Sequence, residues 1–395
     1  MGTRRPSTYP GHLPPLIDAR VSFGYRAPMT SASALARAFV DNHVRPNLAS
    51  WDAAATYPRE VVAASGLTGL FVAPDKGGLG LSYGEAVDVF EELGRGDGSL
   101  AFSMSMHNAV AAAVNGAATG VLLERWGGAL ASGHALGCFS ITEPQSGTDA
   151  TALRTRATER DGSWTITGRK AWVSLGGVAD VYAVVAKTSE EPGHSDVAMF
   201  IVEGADPGVT FSAPYRKAAS DFLPITDMEL TEANAFLLVP PGSGMSAALA
   251  AIDVARFDIA AISVGLLAEA LDVATRYACQ RVTFGKPIIE HQGLAWMLAD
   301  VATDVEAGRH LTRAAAEAIG MPEGRVAIAH AKRFAPDAAV RGTAACSEVL
   351  GAYGWLHDHP IARMAAVATM LTVVDGTAEV QRIVIARDLQ RRASK

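Results

Sequence analysis

Cysteine is scarce in this chain of 395 residues: Cys138, Cys279 and Cys346 are widely spaced, odd in number and form no C-x-x-C pair. Neither a disulfide framework nor a zinc site is indicated, and a reducing, cytoplasmic setting is the simplest home. No apolar run reaches membrane-spanning length; the longest, Ala109 to Leu123, is interrupted by Asn115, Gly116 and Gly120. A basic surplus is also missing. With 34 Lys and Arg against 41 Asp and Glu, the formal charge is −7 and no long Lys/Arg cluster occurs, which argues against nucleic acid or an anionic membrane as the main partner. Arg391, Arg392 and Lys395 read as solvated charge at a terminus. There is no H-E-x-x-H, P-loop lysine or nucleophile elbow, so metal hydrolysis, nucleotide triphosphate chemistry and serine-esterase chemistry have no support. Residues Met1 to Thr30 are rich in Pro and Arg and lack the apolar core of a secretory signal. They read as an extended arm (1–30), with a transit peptide as the alternative.

What is present is a hydrophobic content of 49%, enough for two or three domains that share a large core. From Ser31, helical periodicity sets in, with Leu35, Ala38, Phe39 and Val44 on one side and an end near Pro46. Arg59 to Ser65, Tyr83 to Leu93 and Ala101 to Asn115 continue as helices of a first domain, 31–135. The glycine-rich loop Lys76 to Leu81 lacks G-x-G-x-x-G spacing, so a dinucleotide fold is a poor match. Between 136 and 241 the period changes to two. Segments Ser163 to Thr167, Val181 to Ala186, Val197 to Val202 and Val209 to Ser212 read as strands of a β domain, while Asp221 to Leu237 matches a strand pair only loosely. Beyond Gly242 come Met245 to Ala255, Phe257 to Tyr277, His291 to Ala318, Gly324 to Leu350 and Ile361 to Val373, a helical bundle occupying 242–395.

Within the β domain, Leu136 to Ile141 reads as a short strand that breaks into a turn of Pro144, Ser146, Gly147 and Asp149, exposing backbone N–H groups to a polar ligand. Downstream, Thr165 to Ser174 reads as a hairpin ending in Trp172 and Ser174. These parts suit a flat heteroaromatic ring, with Trp172 covering it and the hydroxyls of Thr142 and Ser174 bonding its edge. The two segments, Thr-Glu-Pro-Gln-Ser-Gly-Thr-Asp from Thr142 and Gly-Arg-Lys-Ala-Trp-Val-Ser from Gly168, resemble the Thr-Glu-Pro-x-x-Gly-Ser-Asp and Gly-x-Lys-x-Trp-Ile-Thr signatures of the acyl-CoA dehydrogenase family. Thr148 and Ser174 replace Ser and Thr and keep the hydroxyl. The resemblance covers Ser31 to Leu389 and implies an α+β, acyl-CoA dehydrogenase-like fold with an N-terminal helical domain, a middle β domain and a C-terminal helical bundle. It also implies FAD, held by Phe139, Ile141, Thr142, Thr148, Trp172 and Ser174.

A second segment, Arg281 to Gln292, combines a planar cation with an aromatic surface at Phe284. In the family it reaches the flavin of a neighbouring subunit, so the resemblance implies that Arg281, Thr283, Phe284, His291 and Gln292 complete a site shared across a homodimer or homotetramer. Glu348 to Gly354 resembles another partner-facing segment, with Gly351 allowing close approach; Glu348 and Glu379 stand where the family commonly has Gln. Thr377 caps a terminal helix, Ala378 to Leu389, and Asp375 lies just before it; the resemblance counts Glu348, Gly351, Thr377 and Glu379 among the cofactor contacts. The resemblance gives Asp375 the place of a Glu that removes the α proton of an acyl thioester, one methylene shorter here. Simple helix capping is the plainer reading of the same residue. The alternative family base position is Ala255, which leaves it empty. Thr148, Asp253, Arg256 and Gly376 map to the substrate side, with Arg256 expected as the electrostatic partner of the base and the backbone N–H groups near Gly376 polarising the carbonyl. Val374 replaces a common aromatic, which suggests room for an α-substituted acyl group. Met104, Met106 and His107 lie where the family builds the far end of the acyl pocket, although methionines at that spacing also read as plain core.

The expected activity is FAD-dependent α,β-dehydrogenation of an acyl-CoA or acyl-carrier-protein thioester, with electrons passing to an electron-transfer flavoprotein or similar acceptor. Two alternatives remain. One is a nitroalkane-oxidase-like flavin oxidase, motivated by Asp at position 375. The other is a flavin-binding subunit without dehydrogenase activity, motivated by the departures at Glu348, Asp375 and Glu379.

Overall fold

A computed structural model of the chain describes residues 30–189 and 196–394; the expected N-terminal arm and the transit-peptide alternative lie outside the described residues, save for Thr30. Thr30 opens the first helix, α1 (Ser31–Phe39), by accepting a hydrogen bond from the Ser33 N–H at 3.2 Å. The helix does not end near Pro46. It passes through a π-helical turn, Val40–Val44, into α2 (Arg45–Ala53), where Pro46 sits at the start and its missing N–H costs nothing. After α3 (Arg59–Ala63), a capping box between Ser82 and Glu85 starts α4 (Tyr83–Gly96). Asp97 then caps α5 (Gly98–Ala117), accepting from Ser99 N and Leu100 N at 3.0 and 2.9 Å. Helix α6 (Gly120–Ala131) follows. It escapes the periodicity reading because the glycines and Asn115 near its start look like loop.

The β domain comprises β1 (Gly137–Ser140), β2 (Arg156–Arg160), β3 (Ser163–Ser174), β4 (Val181–Lys187), β5 (Val197–Glu203), β6 (Val209–Phe211) and β7 (Ile225–Val239). Strand β1 runs parallel to β4; antiparallel pairs then link β4 to β5, β5 to β7, β7 to β3 and β3 to β2. A single parallel pair, Arg156 with Lys187, returns β2 to β4, so the strands form a small closed ring. Two expectations are corrected here. The segment Thr165 to Ser174 is the inner part of one 12-residue strand rather than a hairpin, and the turn lies earlier, at Asp161 and Gly162. Asp221 to Leu237 holds most of one long strand, not a pair. The β3–β7 register also shifts between Lys170 and Val173, where Trp172 takes a left-handed φ of 59°.

Residues 244–280 form one helix, α7 (Gly244–Gln280), not two; Asp253 and Arg256 look like an interruption in sequence but are adjacent turns of a continuous ladder, paired at 2.6 Å. A two-stranded turn, β8 (Val282–Thr283) with β9 (Lys286–Pro287), leads to α8 (Gln292–Ala318), α9 (Gly324–Val349), α10 (Pro360–Val373) and α11 (Ala378–Ala393). Helix α9 packs between α7, α8, α10 and α11, and one buried cluster joins this bundle to α4, α5 and the inner face of the strands. Among the described residues no single helix is long and apolar enough to cross a membrane.

Candidate active site

Where β1 ends, the chain turns at Glu143 to Ser146, which exchange backbone hydrogen bonds at 2.9 and 3.0 Å. Glu143 is buried, and its carboxylate accepts from Arg154 N at 2.7 Å, Thr155 N at 3.0 Å and Lys170 Nζ at 2.9 Å. Lys170, wholly buried in β3, also donates to the carbonyls of Ile141 and Val185 at 3.2 and 2.8 Å. Burial pushes the lysine down to about 8. Burial alone would raise Glu143, but the Lys170 charge and its hydrogen-bond donors outweigh it and hold the carboxyl below its ordinary value. This pair fixes the Thr-Glu-Pro turn from inside. Sequence alone shows its members only as parts of two motifs.

The turn borders a cavity of about 810 Å³. One wall carries Phe139, Ile141, Thr142, Thr148, Trp172 and Ser174, so every expected cofactor residue of the β domain is brought together there. Trp172 is 65% exposed and tilts against Tyr215, with ring centroids 4.8 Å apart. Ser140 joins them without having been among the expected residues. It lines the same wall and is 3% exposed, yet its Oγ has no hydrogen-bond partner. The alternation of β1 places it on the face of Thr142, which is the signal that would have found it. Met106 lines the cavity with Ser99 and Phe102 of α5, whereas Met104 is buried core. His107 is structural, tying α5 to β1 and to neighbouring backbone. Its Nδ1 accepts from Gly137 N at 3.1 Å, and Nε2 faces the carbonyls of Thr68 and Leu130 at 3.0 and 3.1 Å.

The opposite wall comes from α7, α10 and the connection Val374 to Thr377. That connection turns sharply, with left-handed φ of 53° at Asp375 and 97° at Gly376, before Thr377 caps α11. Asp375 is therefore not the cap; it faces the cavity. Its Oδ2 is buried without a partner, and burial raises the carboxyl to about 6 against the opposing pull of Lys332 and Arg256. Arg256 lies beside the base, as expected, and also grips its backbone. Its Nη1 bonds the Asp253 carboxylate at 2.6 Å, while its Nε donates to the backbone carbonyl of Asp375 at 2.9 Å. Lys332, which no motif singles out, exerts the stronger pull. Asp253 does not line the cavity; its other oxygen accepts from Arg325 Nε at 3.3 Å. The N–H groups of Asp375 and Gly376 find no acceptor among the described residues.

The remaining candidates stand apart from this cavity. Phe284 is 97% exposed at the tip of the β8–β9 turn, and His291 Nε2 lies 3.3 Å from the hydroxyl of Thr283. Arg281, Gln292, Glu348 and Gly351 line no part of the cavity within one chain. Glu379 is exposed and bonds Arg382 at 2.9 Å, so it points along α11 rather than toward Asp375.

Two walls, one with an aromatic face and free hydroxyls and the other with an unpartnered acid, fit a planar ring sandwiched beside a small substrate. The orphaned Ser140 Oγ and Asp375 Oδ2 are the polar atoms such a pair would satisfy. The chain matches the family models of the acyl-CoA dehydrogenase N-terminal domain over residues 30–134, the middle domain over 138–233 and the C-terminal domain over 242–390. It is 35% identical over 339 residues to an acyl-CoA dehydrogenase of Bacillus subtilis, covering 82% of this chain and 87% of that one. Butyryl-CoA dehydrogenase of Megasphaera elsdenii superposes with a TM-score of 0.87 at 30% identity, covering 93% of this chain and all of the other. A glutaryl-CoA dehydrogenase of Mycobacterium smegmatis in complex with FADH2 does so at 0.84 and 26% identity, covering 91% and 93%.

Proposed function

Because this chain belongs to the acyl-CoA dehydrogenase family, a family of flavin oxidoreductases acting on CH–CH bonds, we propose that Asp375 is the base of a thioester α,β-dehydrogenation. The observation that carries the reading is Asp375 itself, a residue with an unpartnered, buried Oδ2 that lines a cavity whose far wall holds Trp172 and Ser174. The chemistry supplied by a bound flavin, FAD in this reading, is acceptance of hydride from the β carbon. The Asp375 carboxylate takes the α proton, and the double bond forms between the two carbons. An ionised carboxyl at a value of about 6 is present in quantity at neutral pH and still basic enough to act. The acceptor-free N–H groups of Asp375 and Gly376 are the donors for the thioester oxygen, whose charge grows as the α proton leaves. Arg256 holds that geometry by gripping the Asp375 carbonyl.

On the opposite wall, Thr142 and Ser174 would hold the ring edge and Trp172 would cover its face. Arg281, Thr283, Phe284, His291, Gln292, Glu348 and Gly351 serve the cofactor of a second copy in a homodimer or homotetramer, a reading supported by the wholly exposed Phe284 ring. The carrier is CoA or an acyl carrier protein, and the electrons pass to an electron-transfer flavoprotein or similar acceptor.

An anaerobic absorbance titration of the purified protein against a panel of acyl thioesters tests this. The expected result is bleaching of the flavin band by at least one thioester in the wild type and none in Asp375→Asn. Bleaching retained by the variant rejects Asp375 as base, and peroxide release from a nitroalkane with no thioester requirement points to oxidase chemistry instead.

A further inference from the structure

Lys332 carries a buried charge for which the site as described has no use. It lies four residues after Ile328 and three before Ala335, on the inner face of α9, and is 1% exposed. Its Nζ makes one hydrogen bond, to the carbonyl of Leu371 at 2.8 Å in the last turn of α10. Among the described residues no carboxylate comes within ion-pair distance of it. A buried ammonium held by one carbonyl is costly, and burial pushes it down to about 8, opposed most strongly by the charge of Asp375. In the other direction Lys332 is the cation that acts most on Asp375, ahead of Arg256.

We propose that Lys332 is a positioning residue for the base: its hydrogen bond pins the end of α10 that delivers Asp375, and its ammonium supplies the counter-charge for that carboxylate. The proposal rests on the assignment of Asp375 as base.

The neighbours single out this pair. On α7, the guanidinium of Arg256 is committed to Asp253 and to the Asp375 carbonyl. Asp258, also on α7, accepts from Ser105 Oγ at 2.6 Å, and burial raises it well above its ordinary value. On β1, burial pushes the Cys138 thiol up to about 12, which keeps it neutral. Asp337, four residues from Arg333 on α9, faces Arg333 and Arg382 at 3.4 and 3.5 Å. Among the described residues Lys332 has no carboxylate of its own in ion-pair distance, and each of Lys332 and Asp375 is the charge that acts most strongly on the other. Leu371 lies four residues before Asp375, and its carbonyl is one that the helix end leaves without an internal partner; one side chain therefore anchors the connection and sets its electrostatics. When Asp375 takes the substrate proton the ammonium loses its counter-charge, so Lys332 limits how basic Asp375 becomes as well as keeping it available.

Three holoenzyme variants test the proposal. Lys332→Met removes both charge and bond, Lys332→Gln removes the charge but can still donate to Leu371, and Lys332→Arg keeps the charge. One readout is the titration midpoint of the Asp375 carboxyl by infrared difference spectroscopy, with the band assigned by its loss in Asp375→Asn; the other is the acid limb of kcat/KM. Met and Gln are expected to move both upward by about one to two pH units, lowering turnover at about pH 7 by about two- to tenfold and restoring it at alkaline pH, while Arg stays near wild type. A wild-type midpoint in Lys332→Gln, or in both neutral variants, overturns the electrostatic role. An infrared midpoint that moves while the kinetic limb stays fixed leaves the coupling standing and rejects Asp375 as base.

Discussion

Replacing Asp375 by Asn removes a charge and keeps the shape, and its effect on stability has a sign opposite to its effect on turnover. Burial raises this carboxyl from an ordinary 3.8 to about 6, so ionising it works against the fold by up to about 3 kcal/mol. Below about pH 4 the group is neutral in both the folded and unfolded protein and contributes nothing to the difference. Between about pH 4 and 6 the folded protein still holds a proton that the unfolded chain has released, so wild-type stability declines as pH rises. Above about pH 6 the loss is complete. Asp375→Asn escapes it. The variant should unfold at a higher temperature than wild type at about pH 8 and with it at about pH 4, as read from thermal melts of the flavin-loaded protein. The same residue sets an acid limb at about pH 6 in the wild type, below which kcat/KM falls about tenfold per pH unit. A variant no more stable than wild type at the higher pH, or equally favoured at both, refutes the claim that the fold carries a costly anion there.

Lys170→Met should destabilise the protein by about 3–5 kcal/mol, because Glu143 is left buried with its charge unbalanced; retention of flavin absorbance with an unchanged melting temperature would contradict the role assigned to the pair. Gly376→Ala places a Cβ 3.0 Å from Arg256 Nη2 at a φ of 97°, so turnover should drop sharply while flavin binding, read from the visible spectrum, persists. The small Val374 beside Asp375 predicts faster turnover of α-methyl-substituted thioesters than of straight-chain ones, and a clear preference for the unsubstituted chain in steady-state assays excludes it.

Much of the site is legible in the sequence because its chemistry is local. Thr142, Thr148, Trp172 and Ser174 sit in two short segments whose turn residues and hydroxyls already suggest a ligand, and the fold brings both to one wall. What sequence does not show depends on contacts between distant segments. Lys170 and Glu143, 27 residues apart, are letters of two separate motifs in sequence; only the folded sheet shows that they pair with one another. Lys332 leaves a trace, a cation in register with the apolar Ile328 and Ala335, but helical periodicity cannot say which partner waits across the interface. Periodicity divides α7 at Asp253 to Arg256 because polar residues in an apolar run mimic a boundary. The structure shows them pointing at Asp375 and Arg325 from an unbroken helix.

In a regular strand, residues two apart share a face, yet Lys170 is enclosed and Trp172 stands 65% in the open. The irregularity between Lys170 and Val173 makes that possible. It lets one short peptide serve as a nail driven into the barrel at one end and a shelf projecting from it at the other. Deleting Val173 would restore even alternation and turn the indole onto the face of Lys170, so the number of residues between Lys170 and Ser174 matters as well as their side chains.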